Sequence, residues 1–208
     1  MNLQGFLDIK NRWTRLNFWI FISMILLLLP WIFYQDLYRH ILIIVMIYSL
    51  LALSLNLCTG FLGQLSLGHN GFMAVGAYTS ALFTLHFNMP FWLGIIFAML
   101  AGFLIGFIVG LPTFRVSGIY LGMVTLGMAE IIRLLALNLN FTKGPMGLTG
   151  IPPFSVFGQY VFELWKIYYI IAIIFFIVLY FITNLIDSRV GEAFQAIRAD
   201  ELAASSMG

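Results

Sequence analysis

Residues 91–111 read F-W-L-G-I-I-F-A-M-L-A-G-F-L-I-G-F-I-V-G-L, twenty-one positions without a charged side chain. A helix needs about 20 mostly apolar residues to cross the hydrocarbon of a bilayer. This stretch meets that length by itself, so lipid is the solvent against which the rest of the chain is read.

The composition agrees. Of 208 residues, 62% are hydrophobic and 9% charged, and the mean hydropathy is +1.02. Soluble domains carry roughly 25% charged residues. So few charges could not cover a globule of this size in water. The net charge of +2 is too small to suggest a nucleic-acid partner. Cys58 is the single cysteine, which excludes an intrachain disulfide or a cysteine-based zinc site. Inside an apolar run it reads as a small packed hydrophobe.

Outward from residues 91–111, five more stretches suit a span, making about six: Asn17–Tyr34, His40–Cys58, Gly71–Phe87, Gly118–Leu139 and Ile167–Ile186. The fold class is therefore all-α, a polytopic transmembrane helical bundle. The stretch Gly71–Phe87 is the least hydrophobic, being rich in Gly, Ala, Ser and Thr. Lys10, Arg12 and Arg15 before Phe18–Phe33 resemble a signal peptide, but no small-residue cleavage site follows, so an uncleaved first span is expected.

Positive charges orient the spans. With the N-terminus inside, Lys10, Arg12, Arg15, Arg115, Arg189 and Arg198 fall in cytoplasmic segments, against Arg39, Lys143 and Lys166 outside. Residues 1–16 then form a cytoplasmic segment, 17–186 the membrane domain and 187–208 a cytoplasmic loop. Trp13, Trp31, Trp92 and Trp165 lie near span ends, where interfacial anchors belong. The long outer connection, 140–166, carries T-K-G-P-M-G at Thr142–Gly147 and I-P-P-F at Ile151–Phe154. Its Gly and Pro residues forbid a continuous helix and predict a folded loop. Gly102, Gly106 and Gly110 share one helix face, as do Gly118 and Gly122, and such faces let helices approach closely in lipid.

Three groups of residues stand out for function. Gly60, Gly63, Gln64, Ser66, Gly68 and His69 lie in a glycine-punctuated polar stretch. It fits either an interrupted helix near a transport path or a cytoplasmic turn with helix caps. Glu130 and Arg133, three apart in an apolar stretch, face one side of a helix. They read as a pathway or gate pair, or as an internal ion pair locking spans. In the last segment Val190, Phe194 and Ile197 make one face of an amphipathic helix, and Asp200 can cap a second short helix ending at Gly208. That short helix suits a groove on a soluble partner.

No H-E-x-x-H, Walker A or Gly-x-Ser-x-Gly motif occurs. His40, His69 and His86 are scattered. Neither an enzyme site, a metal site nor a cofactor is expected.

Several motifs together carry a resemblance. G-F-L-G-Q-L-S-L-G-H-N-G-F-M-A-V-G-A-Y (60–78), L-P-T-F-R-V-S-G-I-Y-L-G-M-V-T-L-G-M-A-E-I-I-R (111–133), T-K-G-P-M-G-L-T-G-I-P-P-F (142–154) and G-E-A-F-Q-A-I-R-A-D-E-L-A-A-S-S-M-G (191–208) resemble permease subunits of branched-chain amino acid ABC importers. The resemblance covers roughly residues 50–208. It implies a second homologous permease subunit, cytoplasmic ABC ATPases, an extracytoplasmic amino acid-binding protein and a bacterial-type plasma membrane. It implies further that Arg198, Asp200, Glu201, Leu202, Ala203, Ala204 and Gly208 couple to the ATPase. Family members usually continue through more spans after this loop, so a C-terminally truncated member is expected. Urea-importer permeases are close relatives and offer an alternative solute. An ion-coupled secondary transporter would need intramembrane carboxylates, of which Glu130 is the one found. A non-transporting membrane assembly protein would use its polar residues only as cement.

Overall fold

A computed structural model of the chain describes residues 26–87, 90–113, 116, 118–156, 159–200 and 204. It is a helical membrane protein. A helical stretch at 26–32 (α1) is followed by α2 (Asp36–Asn56), α3 (His69–Phe87), α4 (Phe91–Thr113), α5 (Ile119–Asn138), α6 (Leu164–Ile186) and α7 (Arg189–Ala199). Four helices are long and apolar enough to cross a bilayer: Asp36–Phe61, Phe91–Leu111, Ile119–Asn138 and Leu164–Ile186. Their bounds agree with the expected spans to within a few residues. Of the expected first span, 17–25 lie outside the described residues, as do Lys10, Arg12, Trp13, Arg15 and Arg115. The region expected as the third span is helical too, over 19 residues, but its small and polar residues keep it below the apolarity of the other four.

The chain divides into two compact units. In the described part of the first, 26–47 and Glu163–Phe176, the core is Ile43, Met46, Tyr168 and Ala172. Tyr168 is fully buried and its hydroxyl donates to the Leu26 carbonyl at 2.7 Å. A phenol in an apolar core needs such a partner.

The second unit, Tyr48–Phe162 with Ile177–Gly208, holds α3, α4 and α5. Helices α3 and α4 pair antiparallel. Phe83 stacks on Phe97 with ring centroids 4.1 Å apart. Gly94 admits the Ser80 carbonyl and Thr84, each 3.5 Å from where its Cβ would stand. The glycine face expected on α4 is not used this way. A Cβ on Gly102 or Gly110 would meet nothing from other parts of the described chain within 4 Å, and one on Gly106 would meet the Phe72 ring at 3.7 Å. The face instead lies among side chains such as Phe103 and Phe107, 70% and 60% exposed, as suits contact with lipid tails. Gly118 is likewise open, and Gly122 faces the Leu65 side chain rather than a helix.

The long connection is folded. Asn140–Thr142 and Gly144–Met146 form single 3-10 turns, and Ser155–Val156 pairs antiparallel with Gln159–Tyr160 as strands β1 and β2. The small ribbon was not foreseen in the sequence. Lys143, Gly144, Gly147 and Gly150 all have positive φ, which explains the glycine density. Thr142 is buried, its hydroxyl 2.7 Å from both the Ala136 and Leu139 carbonyls, one proton shared between them. Phe154 packs edge-on against Phe91 at 4.3 Å, holding the loop to the start of α4.

Removing the Tyr168 hydroxyl tests the first core. Tyr168→Phe is expected to lower stability by about 1 kcal/mol and Tyr168→Ala by about 3–5 kcal/mol, read by thermal unfolding in detergent.

Candidate functional site

Helix α2 does not end cleanly. It runs into a π-helical turn, Leu57–Phe61, in which the Leu62 amide reaches back to the Leu57 carbonyl at 3.2 Å. Gly63 then turns the chain at φ +75°, and 63–68 has no regular structure before α3 begins at His69. The Gln64 amide donates to the Cys58 carbonyl at 3.0 Å, and Ser66 Oγ lies 3.2 Å from His69 Nδ1.

This irregular segment runs against α5. The Leu67 amide donates to Thr125 Oγ1 at 3.0 Å, while the same hydroxyl donates to the Gly122 carbonyl at 3.0 Å. A Cβ on Gly68 would stand 2.7 Å from the Thr125 carbonyl, and one on Gly71 would stand 2.9 Å from Ala129 Cα. The close approach therefore requires glycine at both places. Thr125 lies about 9 Å along α5 from its start. Helix α5, with 20 residues, needs nearly its whole length to cross about 30 Å of hydrocarbon. The start of α3 thus packs beside α5 nearly two turns into that helix, and the two helices run in the same direction.

Between α3 and α5 lies a cleft of about 650 Å³. Asn70 and Tyr78 line it from α3, and Glu130 and Arg133 from α5. Arg133 donates to both Glu130 oxygens, Nε to Oε2 at 2.9 Å and Nη2 to Oε1 at 2.5 Å. The pair is closed on itself, as its spacing predicts. Both side chains are about half exposed, 59% for Arg133 and 52% for Glu130.

The C-terminal segment meets the same interrupted region. Ser188 caps α7, its Oγ accepting from the Val190 amide at 3.3 Å. Gly191 fits against the Ile186 backbone, where any side chain would collide. Phe194 and Ile197 are half-buried whereas Val190 is 47% exposed, so the expected apolar face is used along part of its length. In the last turn Arg198 Nη1 donates to the Gly60 carbonyl in the π turn. Its stem covers Gly63, whose Cβ would stand 2.8 Å from Arg198 Cγ. Arg198 and Asp200 border a polar hollow of about 250 Å³ together with Gly63 and Gln64. Asp200 has extended backbone and its carbonyl accepts from the Ala204 amide at 3.0 Å, the geometry of a residue opening a new helical turn. Glu201, Leu202, Ala203 and Gly208 lie outside the described residues.

Residues expected in two separate groups are thus brought together. Gly60, Gly63 and Gln64 meet Arg198 and Asp200, whereas Gly68 packs on α5 and Glu130 and Arg133 line the cleft there. Sequence reading missed Thr125, because one threonine in an apolar helix ordinarily satisfies itself on its own backbone. It also missed Tyr78, whose helix partner is set by tertiary packing.

Residues 37–208 match the family described as the permease component of branched-chain amino acid transport systems. The high-affinity branched-chain amino acid transport system permease protein LivM of Escherichia coli (strain K12) is 35% identical over 187 residues, 78% of this chain and 44% of the relative. LivM of Salmonella typhimurium matches to the same extent. The probable branched-chain amino acid transport permease protein LivM of Methanocaldococcus jannaschii is 26% identical over 207 residues, 83% of this chain and 60% of the relative. The chain therefore spans about half the length of these curated relatives, 44% to 60%. No solved structure matches it.

The close approach of α3 and α5 is testable against the open glycines of α4. Gly68→Ala is expected to cost about 1–3 kcal/mol, because the Thr125 backbone must shift. Gly102→Ala, with open space at its Cβ, should not destabilise and is expected to gain up to about 1 kcal/mol. Equal melting temperatures for the two variants would contradict the packing described.

Proposed function

The chain belongs to the family of permease components of branched-chain amino acid transport systems, and on that premise we propose that it is a membrane subunit of an ATP-driven importer. It lines part of the path that a branched-chain amino acid takes through the bilayer. A second, homologous permease completes that path, cytoplasmic ATPases drive it and an extracytoplasmic binding protein supplies the solute. Residues 1–16 and 187–208 face the cytosol of a bacterial-type cell, and 140–166 face outside. Helix α3 with the irregular segment before it makes the third crossing.

The contact of Arg198 with Gly60 and Gly63 carries this reading. ATPase closure acts on Asp200–Gly208, the stretch that the resemblance assigns to docking. Helix α7 ends on that stretch and moves with it as a rigid element. Its last turn grips the π turn through a charged hydrogen bond and a packed stem, so displacement reaches residues 63–68. Those residues bond to Thr125 and pack on α5, beside the cleft. A chain of packed, discrete contacts suits two-state switching better than gradual bending.

The Glu130–Arg133 pair supports a path on the same side. A half-exposed ion pair in a membrane-long helix would not face lipid. It faces either a water-filled cleft or the second permease, and both belong to an assembled transporter.

In proteoliposomes holding the importer assembled with its cognate subunits, Arg198→Ala is expected to reduce ATP-driven leucine uptake about tenfold or more. The ATPase should still co-purify, because Asp200–Gly208 are untouched. Undiminished uptake in that variant would refute the transmission. Glu130→Gln leaves Arg133 without its counter-charge and is expected to depress expression or uptake; normal values for both would show the pair to be dispensable.

A further inference from the structure

The first compact unit contains a cavity that the transport reading leaves unused. It measures about 250 Å³ and is walled by Pro30, Trp31, Tyr34 and Trp165, with Arg39 among them. Arg39 stands in the first turn of α2 and Trp165 is the second residue of α6. Both helices are membrane-long. The cavity therefore lies where hydrocarbon gives way to headgroups, the depth that Trp and Tyr favour.

The aromatic wall is tied in place. Trp31 Nε1 donates to the Tyr169 hydroxyl at 2.9 Å, and that hydroxyl donates to the Leu27 carbonyl at 3.0 Å. Trp165 packs edge-on against Tyr169, with centroids 6.3 Å apart.

Among the described residues the guanidinium is poorly supplied with acceptors. The Arg39 side chain is 18% exposed. Its Nε is buried with no acceptor among the described residues, and its Nη1 reaches Asp36 at a long 3.4 Å. The Asp36 side chain is 78% exposed to solvent, which leaves it little grip on the cavity. The other charges nearby answer each other: Lys166 pairs with Glu163 at 2.8 Å and lies 5.1 Å from the Trp165 ring centroid. A guanidinium offers five N–H donors, and a mostly buried one with so few acceptors is costly.

We propose that this cavity binds the headgroup of a membrane phospholipid, with the phosphodiester on Arg39. The donor fork of arginine matches phosphate oxygens. The faces of Trp31, Tyr34 and Trp165 suit a headgroup ammonium. Basic pockets between spans are places where lipid headgroups lodge. The cavity is large enough for a headgroup and too small for a whole lipid, so the acyl chains stay in the bilayer. Neither the solute path nor ATPase coupling enters this inference.

The test is native mass spectrometry of the full chain, delipidated in detergent. It is titrated separately with palmitoyl-oleoyl phosphatidylethanolamine, with diacylglycerol of the same acyl chains and with inorganic phosphate. Phosphatidylethanolamine adducts should persist where the other two are lost. Arg39→Gln should weaken lipid retention about tenfold. Trp165→Leu, which keeps the charge, should weaken it to a smaller but measurable degree, and decides the matter if Arg39→Gln fails to fold. Equal retention of diacylglycerol would reduce the site to acyl-chain contact, and equal retention of phosphate would make it a site for a soluble anion. Either result, or unchanged lipid binding in the variants that fold, overturns the proposal.

Discussion

Every backbone amide and carbonyl at membrane depth must find a partner inside the protein, because hydrocarbon offers none. The helices meet this demand within themselves. The segment 63–68 has no regular structure, and its Leu67 amide takes a partner from α5. Thr125 turns its hydroxyl toward the Leu67 amide while still donating to its own helix at Gly122. Glycines at 68 and 71 bring the two backbones close enough for that bond. At the other end, Arg198 donates to the Gly60 carbonyl in the π turn. The irregular stretch is thereby held by two specific contacts, one from α5 and one from α7.

The irregular stretch touches α7, the element that leads into the segment resembling an ATPase-docking loop, and it borders the cleft between α3 and α5. Residues 60–68 therefore meet both the C-terminal segment and α5. The glycines serve these contacts differently. Gly63 supplies a positive φ and room for the Arg198 stem, while Gly68 and Gly71 supply contact distance.

Charge is confined with equal economy. Glu130 and Arg133 neutralise each other in a bidentate pair, so the cleft carries polarity without net charge. Arg39 is the contrasting case, a cation near a span end whose donors are only partly used by the described residues.

Composition and length by themselves determined the solvent, the helical class and the position of four spans, because crossing hydrocarbon demands a length and an apolarity that few sequences meet by chance. The bounds of 91–111 show how little else is needed. Linked motifs also pointed to the family, and the i, i+3 spacing of Glu130 and Arg133 foretold their pairing. What only the tertiary structure decided is which glycines touch another helix. Gly102 and Gly110 have the regular spacing yet stand open, while Gly68 and Gly71 make the contact. Spacing tells which residues share a face, but which neighbour that face meets depends on packing from distant parts of the chain. For the same reason the meeting of Arg198 with Gly60, 138 residues away, could not be read locally: no local rule links a last-turn arginine to a carbonyl in a distant π turn.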